Sequence, residues 1–199
     1  GGSTYYISNF TTTGGETNIN NNSGGSSSGY QDFYNTASMS ASPGSTINYT
    51  MTVAGGSTYG RAIWVDWNEN GVFEASEQVA SSTSYSSSPL TGSFTIPEDA
   101  VPGPKRMRVL ASWTPNNPSD PCSNSGSGEY EDYKLIVTYC SPSTTGGSSH
   151  YISNFTTTGA SVNINNSSGG SGSGYQDFYN TASMSASPGS TINYTMTVA

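Results

Sequence analysis

Apolar and polar residues alternate with period two along almost every ordered-looking stretch. Ile47, Tyr49, Met51 and Val53 alternate with Asn48, Thr50 and Thr52, the pattern of a strand with one buried face. Ala37, Met39 and Ala41 alternate with serines in the same way, and Leu90, Phe94 and Ile96 share a face. Met107, Val109, Ala111 and Trp113 share another, with Arg106 and Arg108 opposite, while Tyr133, Leu135, Val137 and Tyr139 make the last inward row. No segment sustains a 3.6-residue apolar repeat, and turn residues punctuate the chain at short intervals. The pattern predicts an all-β protein: about eight to ten short strands in ~140 residues, forming a two-sheet antiparallel β-sandwich.

The chain also repeats itself. Residues 6–54 recur as 151–199 at a constant offset of 145, and only five of these 49 positions differ. The changes are Gly15 to Ala160, Glu16 to Ser161, Thr17 to Val162, Asn22 to Ser167 and Ser27 to Gly172. All five fall in the Gly/Ser/Asn-rich part, where a solvated loop tolerates change. The expected organisation is a tandem array of sandwich modules, with 1–140 a complete repeat, 141–149 a Ser/Thr/Gly-rich linker and 150–199 the opening part of the next. Segments 18–29 and 163–174 are nearly all Asn, Ser and Gly and read as long surface loops. Segment 151–199 carries inward rows but no copy of the strands that should cover them. It is expected to be ordered by the rest of its own repeat, or to dock by strand exchange onto a neighbouring module or chain.

Charge narrows the partners. Five Lys+Arg against thirteen Asp+Glu give a net charge of −8, which disfavours nucleic acid and anionic membrane surfaces. The longest apolar runs, such as Ala62-Ile63-Trp64-Val65, fall far short of the ~20 residues of a spanning helix. Cys122 and Cys140 are disulfide candidates in an oxidising compartment. They pair directly, or in a stagger in which Cys122 joins a Cys preceding Gly1 and Cys140 its equivalent in the next repeat, or they stay free. Two isolated Cys do not suggest zinc.

One local motif carries metal chemistry. Asp66-Trp67-Asn68-Glu69-Asn70-Gly71-Val72-Phe73-Glu74-Ala75-Ser76-Glu77 fits D-x-[DN]-x-[DN]-G-x5-E, the twelve-residue calcium loop. Calcium takes six to eight hard oxygens. Asp66, Asn68 and Asn70 would offer side-chain oxygens, Val72 its carbonyl, Glu74 a direct or water-borne contact, and Glu77 two oxygens at the closing position. The competing reading is a tight hairpin at Asn70-Gly71.

The succession Trp64-Val65-Asp66-Trp67-Asn68-Glu69-Asn70-Gly71-Val72-Phe73, Gly92-Ser93-Phe94-Thr95-Ile96-Pro97, Arg106-Met107-Arg108-Val109, Pro121-Cys122 and Gly128-Glu129-Tyr130-Glu131-Asp132-Tyr133 resembles a GEVED domain over residues 61–139. The family takes its name from the last block, in which Tyr130 stands here where Val is usual. Tyr6-Ile7-Ser8-Asn9 and Tyr30-Gln31-Asp32-Phe33 resemble segments found upstream of such domains. The resemblance implies a large secreted or cell-surface protein, of the kind Bacteroidota export by type IX secretion, and an adhesin or filament role. It implies location and architecture better than a ligand.

On a strand, Glu129 and Glu131 share the inward face of Tyr133 and Leu135. Carboxylates near a core must find a cation or donors. Arg106 and Arg108, with Asp132 completing a structural acid/base cluster, are the candidate cations, and a bound calcium is another; hydration at an exposed strand end is the plain alternative. An enzyme is not expected. Gly25-Ser26-Ser27-Ser28-Gly29 matches G-x-S-x-G without a strand-to-helix context, and paired acids hydrolyse glycosides only across a cleft. Two functions remain: a structural or adhesive repeat whose partners are further copies of itself or neighbouring chains, or a carbohydrate-binding module presenting some of fourteen Tyr and three Trp to surface glycans.

Overall fold

The structure, a computed structural model, describes residues 3–113, 120–122, 128–139, 142 and 146–199. The chain divides into two units, Gly1–Cys140 and Ser141–Ala199. The first contains β1 (Tyr6–Thr13), β2 (Asn20–Asn22), β3 (Tyr30–Asp32), β4 (Ser38–Ala41), β5 (Thr46–Ala54), β6 (Gly60–Val65), β7 (Gln78–Ser82), β8 (Leu90–Thr95), β9 (Gly103–Ser112) and β10 (Gly128–Val137).

Two sheets result. The first has the order β2-β1-β5-β8 and is antiparallel throughout. The second runs β3-β10-β9-β6-β7, with β4 also on β10. One edge of β10 is filled by β9 over its whole length. The other edge is shared by β3 at Tyr130–Asp132 and β4 at Lys134–Val137, both parallel to it. The unit is therefore predominantly, not wholly, antiparallel. Ile7, Phe10, Ile47 and Met51 of the first sheet share one core with Ile63, Val65, Met107, Val109, Tyr133 and Leu135 of the second. The second sheet is covered on its other face as well, where Ala62, Trp64, Leu110 and Tyr130 pack with Phe73. That double burial explains the continuous run Arg61-Ala62-Ile63-Trp64-Val65, since a strand buried on both faces need not alternate.

Several expectations are corrected. Strand β6 stops at Val65 and β7 begins at Gln78, so residues 66–77 form a long loop ending in a 3-10 turn at Ala75–Glu77 rather than a two-residue hairpin at Asn70-Gly71. Tyr139 lies past the end of β10 and is exposed. Trp113 lies past β9 and stacks on Tyr5 at 4.6 Å. The polar stretch 18–29 is not all loop: Ile19 is buried and its amide donates to Thr12 Oγ1 at 2.9 Å, which sets up β2 as an edge strand.

The second unit is a three-stranded sheet of β11 (Ile152–Thr158), β12 (Asn165–Ser167) and β13 (Asn193–Val198), in the order β12-β11-β13. It reproduces β2-β1-β5, including the register shift at Ile152/Asn154 that matches Ile7/Asn9. Residues 175–177 repeat the sequence of β3, yet they are not strand, and neither is the repeat of β4 apart from a bridge at Ser185. Those two segments become strands in the first unit only by pairing with β10. Among the described residues there is no second two-sheet unit and no exchanged strand. Of the expected linker, 141 and 143–145 lie outside the described residues.

Identical side chains consequently meet different surroundings. Met51 is 0% exposed and its twin Met196 53%; for Val53 and Val198 the values are 8% and 68%. Truncation of a buried Met costs about 2–5 kcal/mol, and surface changes about ±0.5. Met51→Ala should therefore destabilise the first unit by about 2–5 kcal/mol in urea unfolding, while Met196→Ala should leave its midpoint within error. Equal effects would contradict the two placements.

Candidate functional site

The inward face of β10 carries the chemistry of the first unit. Gly128 opens the strand where a Cβ would lie 2.4 Å from the Ala111 carbonyl oxygen, so only glycine lets β10 start against β9 there. Glu129 and Glu131 then alternate inward with Tyr133, and all three are fully buried. No cation meets the two carboxylates among the described residues. Glu129 Oε1 accepts from Ser26 N and Gln31 Nε2, both at 2.9 Å, and Oε2 accepts from Ile7 N at 3.1 Å. Glu131 Oε1 lies 2.6 Å from Ser23 Oγ, and Oε2 accepts from the Tyr133 hydroxyl at 2.6 Å. Asn21 Nδ2 donates to that hydroxyl at 3.0 Å, and the Tyr133 ring packs between Phe10 and Phe33 at centroid distances of 5.2 and 5.6 Å. Among the described residues, every partner of the two acids except Tyr133 comes from residues 7–31.

Local structure prepares these donors. β2 pairs with β1 only over Asn9–Thr11, so the edge of β1 at Ile7 is uncovered. Its amide donates to Glu129, and its carbonyl accepts from Ser23 Oγ at 2.7 Å. The turn closed by Gly29 N on Ser26 O, at 3.0 Å, presents the Ser26 amide.

Burial pushes the Glu131 carboxyl up to about 7, against the hydrogen bonds from Ser23 and Tyr133 and with some help from neighbouring Glu129. Burial also raises Glu129, with the Ser26, Gln31 and Ile7 donors opposing it. The Tyr133 phenol is pushed up by burial and then by Glu131, which keeps it a donor. A protonated Glu131 would also resolve the crowding at Ser23, whose single proton faces both Ile7 O and Glu131.

The outward face of β10 works differently. Asp132 is buried and held by a two-pronged Arg108 contact, Nε to Oδ1 and Nη2 to Oδ2, both at 2.7 Å. Arg106 Nη1 adds a bond at 2.8 Å and the Tyr30 hydroxyl one at 3.0 Å. Arg108 packs over Phe73 at 4.9 Å and Arg106 over Tyr34 at 4.5 Å. The five residues expected as one acid/base cluster are thus split: Asp132 takes both arginines on one face, and Glu129 and Glu131 take neutral donors on the other.

Residues 66–77 curl on their own side chains. Asp66 Oδ2 accepts from Gly71 N at 3.1 Å, Asn68 Oδ1 from Asn70 N at 2.9 Å, and Asn70 Oδ1 from Val72 N at 2.8 Å. Gly71 adopts φ +80° and the nearby Glu69 φ 60°, both left-handed, and the Glu69 carboxylate pairs with the buried Lys105 ammonium. Asn68 and Asn70 amides reach Glu74, while Glu77 accepts from the amides of Trp67 and Glu74 at 2.8 and 3.1 Å. Hydrogen bonds, that from Asn70 first, lower the Glu74 carboxyl; burial raises that of Glu77. Asp66 Oδ1 is buried with no partner. No group of three or more acidic, His or Cys side chains converges among the described residues. Val72 is exposed.

Cys122 is an exposed free thiol 3.8 Å from Arg108 Nη1, and Cys140 lies outside the described residues. Half-buried Tyr5, Tyr59 and Trp113 and exposed Tyr85 form an aromatic cluster in which Tyr5 stacks on Trp113, Tyr59 and Tyr85 lie tilted at 4.4 Å, and Trp113 meets both edge-on.

A GEVED domain is present over residues 60–136. Its span takes in the 66–77 loop, the arginine ladder and the acidic strand, but not residues 7–31, which supply the donors to Glu129 and Glu131. No curated protein and no solved structure matches the chain. Sequence reading found both GEVED acids on the inward face. It missed Ser23, Ser26 and Gln31 as their partners, because a backbone amide and two serines in a low-complexity stretch carry no signal; only Gln31, inside the Tyr30-Gln31-Asp32-Phe33 block, offered one.

The pH dependence follows from Glu131. A carboxyl held above its unfolded value of ~4.3 favours the folded state most below that value, and this contribution is lost as pH rises through about 7. The melting temperature of the first unit should fall between pH 5 and pH 8, by the equivalent of on the order of 2–3 kcal/mol. Glu131→Gln should flatten the profile. A melt that rises across this window in the unsubstituted chain would contradict the buried acid.

Proposed function

We propose that this chain is a structural or adhesive repeat of an extracellular protein, stabilised by calcium at residues 66–77. The repetition of 49 residues with all five changes outside the apolar rows carries this reading. Duplication that preserves the apolar rows and varies only at polar loop and edge-strand positions is what a self-associating scaffold retains. The GEVED domain supports an extracellular setting, and an adhesin or filament protein exported by type IX secretion in Bacteroidota fits it. A disulfide from Cys122 to Cys140 or to an equivalent Cys of another repeat suits that compartment.

Calcium is supported by the chemistry of the loop. Asp66 Oδ1, buried and unpartnered, costs free energy unless a cation or donor meets it. Asp66, Asn68, Asn70 and the Val72 carbonyl would supply oxygens of the hardness calcium prefers, with Glu74 and Glu77 completing the set by turning from their present donors. A ligand bound only by the native state raises stability by mass action. Millimolar calcium should therefore raise the melting temperature, chelator should lower it, and Asp66→Ala should abolish the difference. Identical melts in calcium and chelator would remove the metal.

Saccharide binding is the second reading. Tyr5, Tyr59, Tyr85 and Trp113 pack on each other, one pair stacked and the rest tilted or edge-on, rather than forming an open row, which favours a packing role. A glycan array probed with the chain should stay at background. Saturable binding competed by free sugar would favour the carbohydrate-binding reading instead.

A further inference from the structure

The second unit contains a cavity of about 480 Å³. Most of its walls are repeat copies of residues that hold β10 in the first unit, with Gly147, His150 and Tyr151 completing the lining. Glu129 is held there by Ile7 N, Ser26 N and Gln31, and Glu131 by Ser23; their copies Ile152, Ser171, Gln176 and Ser168 all line the cavity. Tyr133 is held by Phe10, Phe33 and Asn21, and Phe155, Phe178 and Asn166 line it too. None of the substitutions between the two copies falls on these positions.

We propose that the second unit is an acceptor for the acidic β10 strand of a second copy of this repeat. The ligand is an extended chain with two carboxylates and a tyrosine on one face, in the pattern Gly-Glu-Tyr-Glu-Asp-Tyr. It seats its carboxylates on neutral N–H and O–H donors and its phenol between two phenylalanine rings. Its backbone adds in parallel to residues 175–177, which take up strand geometry only on pairing, as β3 does.

The socket keeps its shape without the strand. Gly174 N donates to Ser171 O at 2.9 Å, against 3.0 Å for Gly29 and Ser26. Thr181 and Ala182 amides reach Phe178 O at 3.0 and 2.8 Å, against 2.9 and 2.8 Å at Thr36, Ala37 and Phe33. Tyr151 and Ala199 exchange both backbone hydrogen bonds, at 3.0 and 2.9 Å, so the next amide, Ile152 N–H, turns away from β13 toward the place Glu129 holds at Ile7. Ser168 Oγ donates to Ile152 O at 2.6 Å, as Ser23 does to Ile7 O. A preformed site loses little ordering entropy on binding.

This acceptor role rests on reading the chain as a repeat that assembles with its own kind, and it names the contact. The test uses the full chain and a fluorescein-labelled synthetic peptide with the sequence of residues 127–139, read by fluorescence anisotropy and by amide hydrogen exchange. The peptide should bind saturably and slow exchange within 151–178, not within 6–33. A peptide carrying Glu129→Lys and Glu131→Lys should bind at least 10-fold more weakly. Ser168→Asp or Gln176→Glu in the chain, each placing a carboxylate against the incoming acids, should weaken binding about 10-fold or more while leaving the melt of the first unit unchanged. Absence of saturable binding, equal binding of the two peptides, indifference to both substitutions or protection confined to 6–33 would each overturn the acceptor role. None of these outcomes touches the calcium and glycan tests of the structural-repeat reading.

Discussion

Burying Glu129 and Glu131 strips water from two carboxyl groups, and something in the protein has to replace it. No cation does so among the described residues; the replacement is a set of neutral donors drawn from residues 7–31 together with the Tyr133 hydroxyl. The acids of the GEVED strand thus have full hydrogen bonding only while the preceding sheet is in place. Apolar contact between the sheets is non-directional, and the carboxylates add the register. They fix β10 against Ile7, Ser23 and Ser26 so that the Tyr133 ring falls between Phe10 and Phe33. A polar network of this kind rigidifies when complete and penalises a wrong pairing when it is not.

The same condition accounts for the contrast between the two copies. Residues 6–54 and 151–199 share their strand-forming rows, and both build the β2-β1-β5 type of sheet. Among the described residues the first copy meets an acidic strand and the second does not, and in the first copy the β3 and β4 sequences become strands and the methionine row becomes core. Strand propensity describes fit to a pleated, half-buried surface more than a backbone preference, and here the surface is present once.

Most of the β architecture was legible because period-two rows such as Ile47–Val53 and Met107–Ala111 mark one face directly. The parallel pairing of β3 and β4 to β10 was not legible, since three- and four-residue segments carry too little pattern to choose a partner. Tyr139 and Trp113 extended a true alternation past the last ladder residue. The inward placement of Glu129 and Glu131 followed from parity alone, but parity cannot name a partner, and Arg106 and Arg108 were attractive because charge suggests charge. They sit on the opposite face with Asp132. The Asn70-Gly71 turn signal misled because Asp66, Asn68 and Asn70 accept from backbone amides within residues 66–77 and shape a loop there instead of a two-residue hairpin.

The central claim is that the carboxylates of β10 clasp the preceding sheet. A double-mutant cycle between Ser23→Ala and Glu131→Met, measured by urea unfolding at pH 8, isolates one bond of that clasp. Hydrogen bonds to charged groups contribute about 1.5–3 kcal/mol, and residues in direct contact couple by about 0.5–3 kcal/mol. The clasp predicts a coupling energy of at least about 1 kcal/mol, with Glu131→Met alone less costly than an apolar cavity would be because the buried charge is gone. Effects that add within about 0.3 kcal/mol would show that Ser23 and Glu131 are neighbours without being partners.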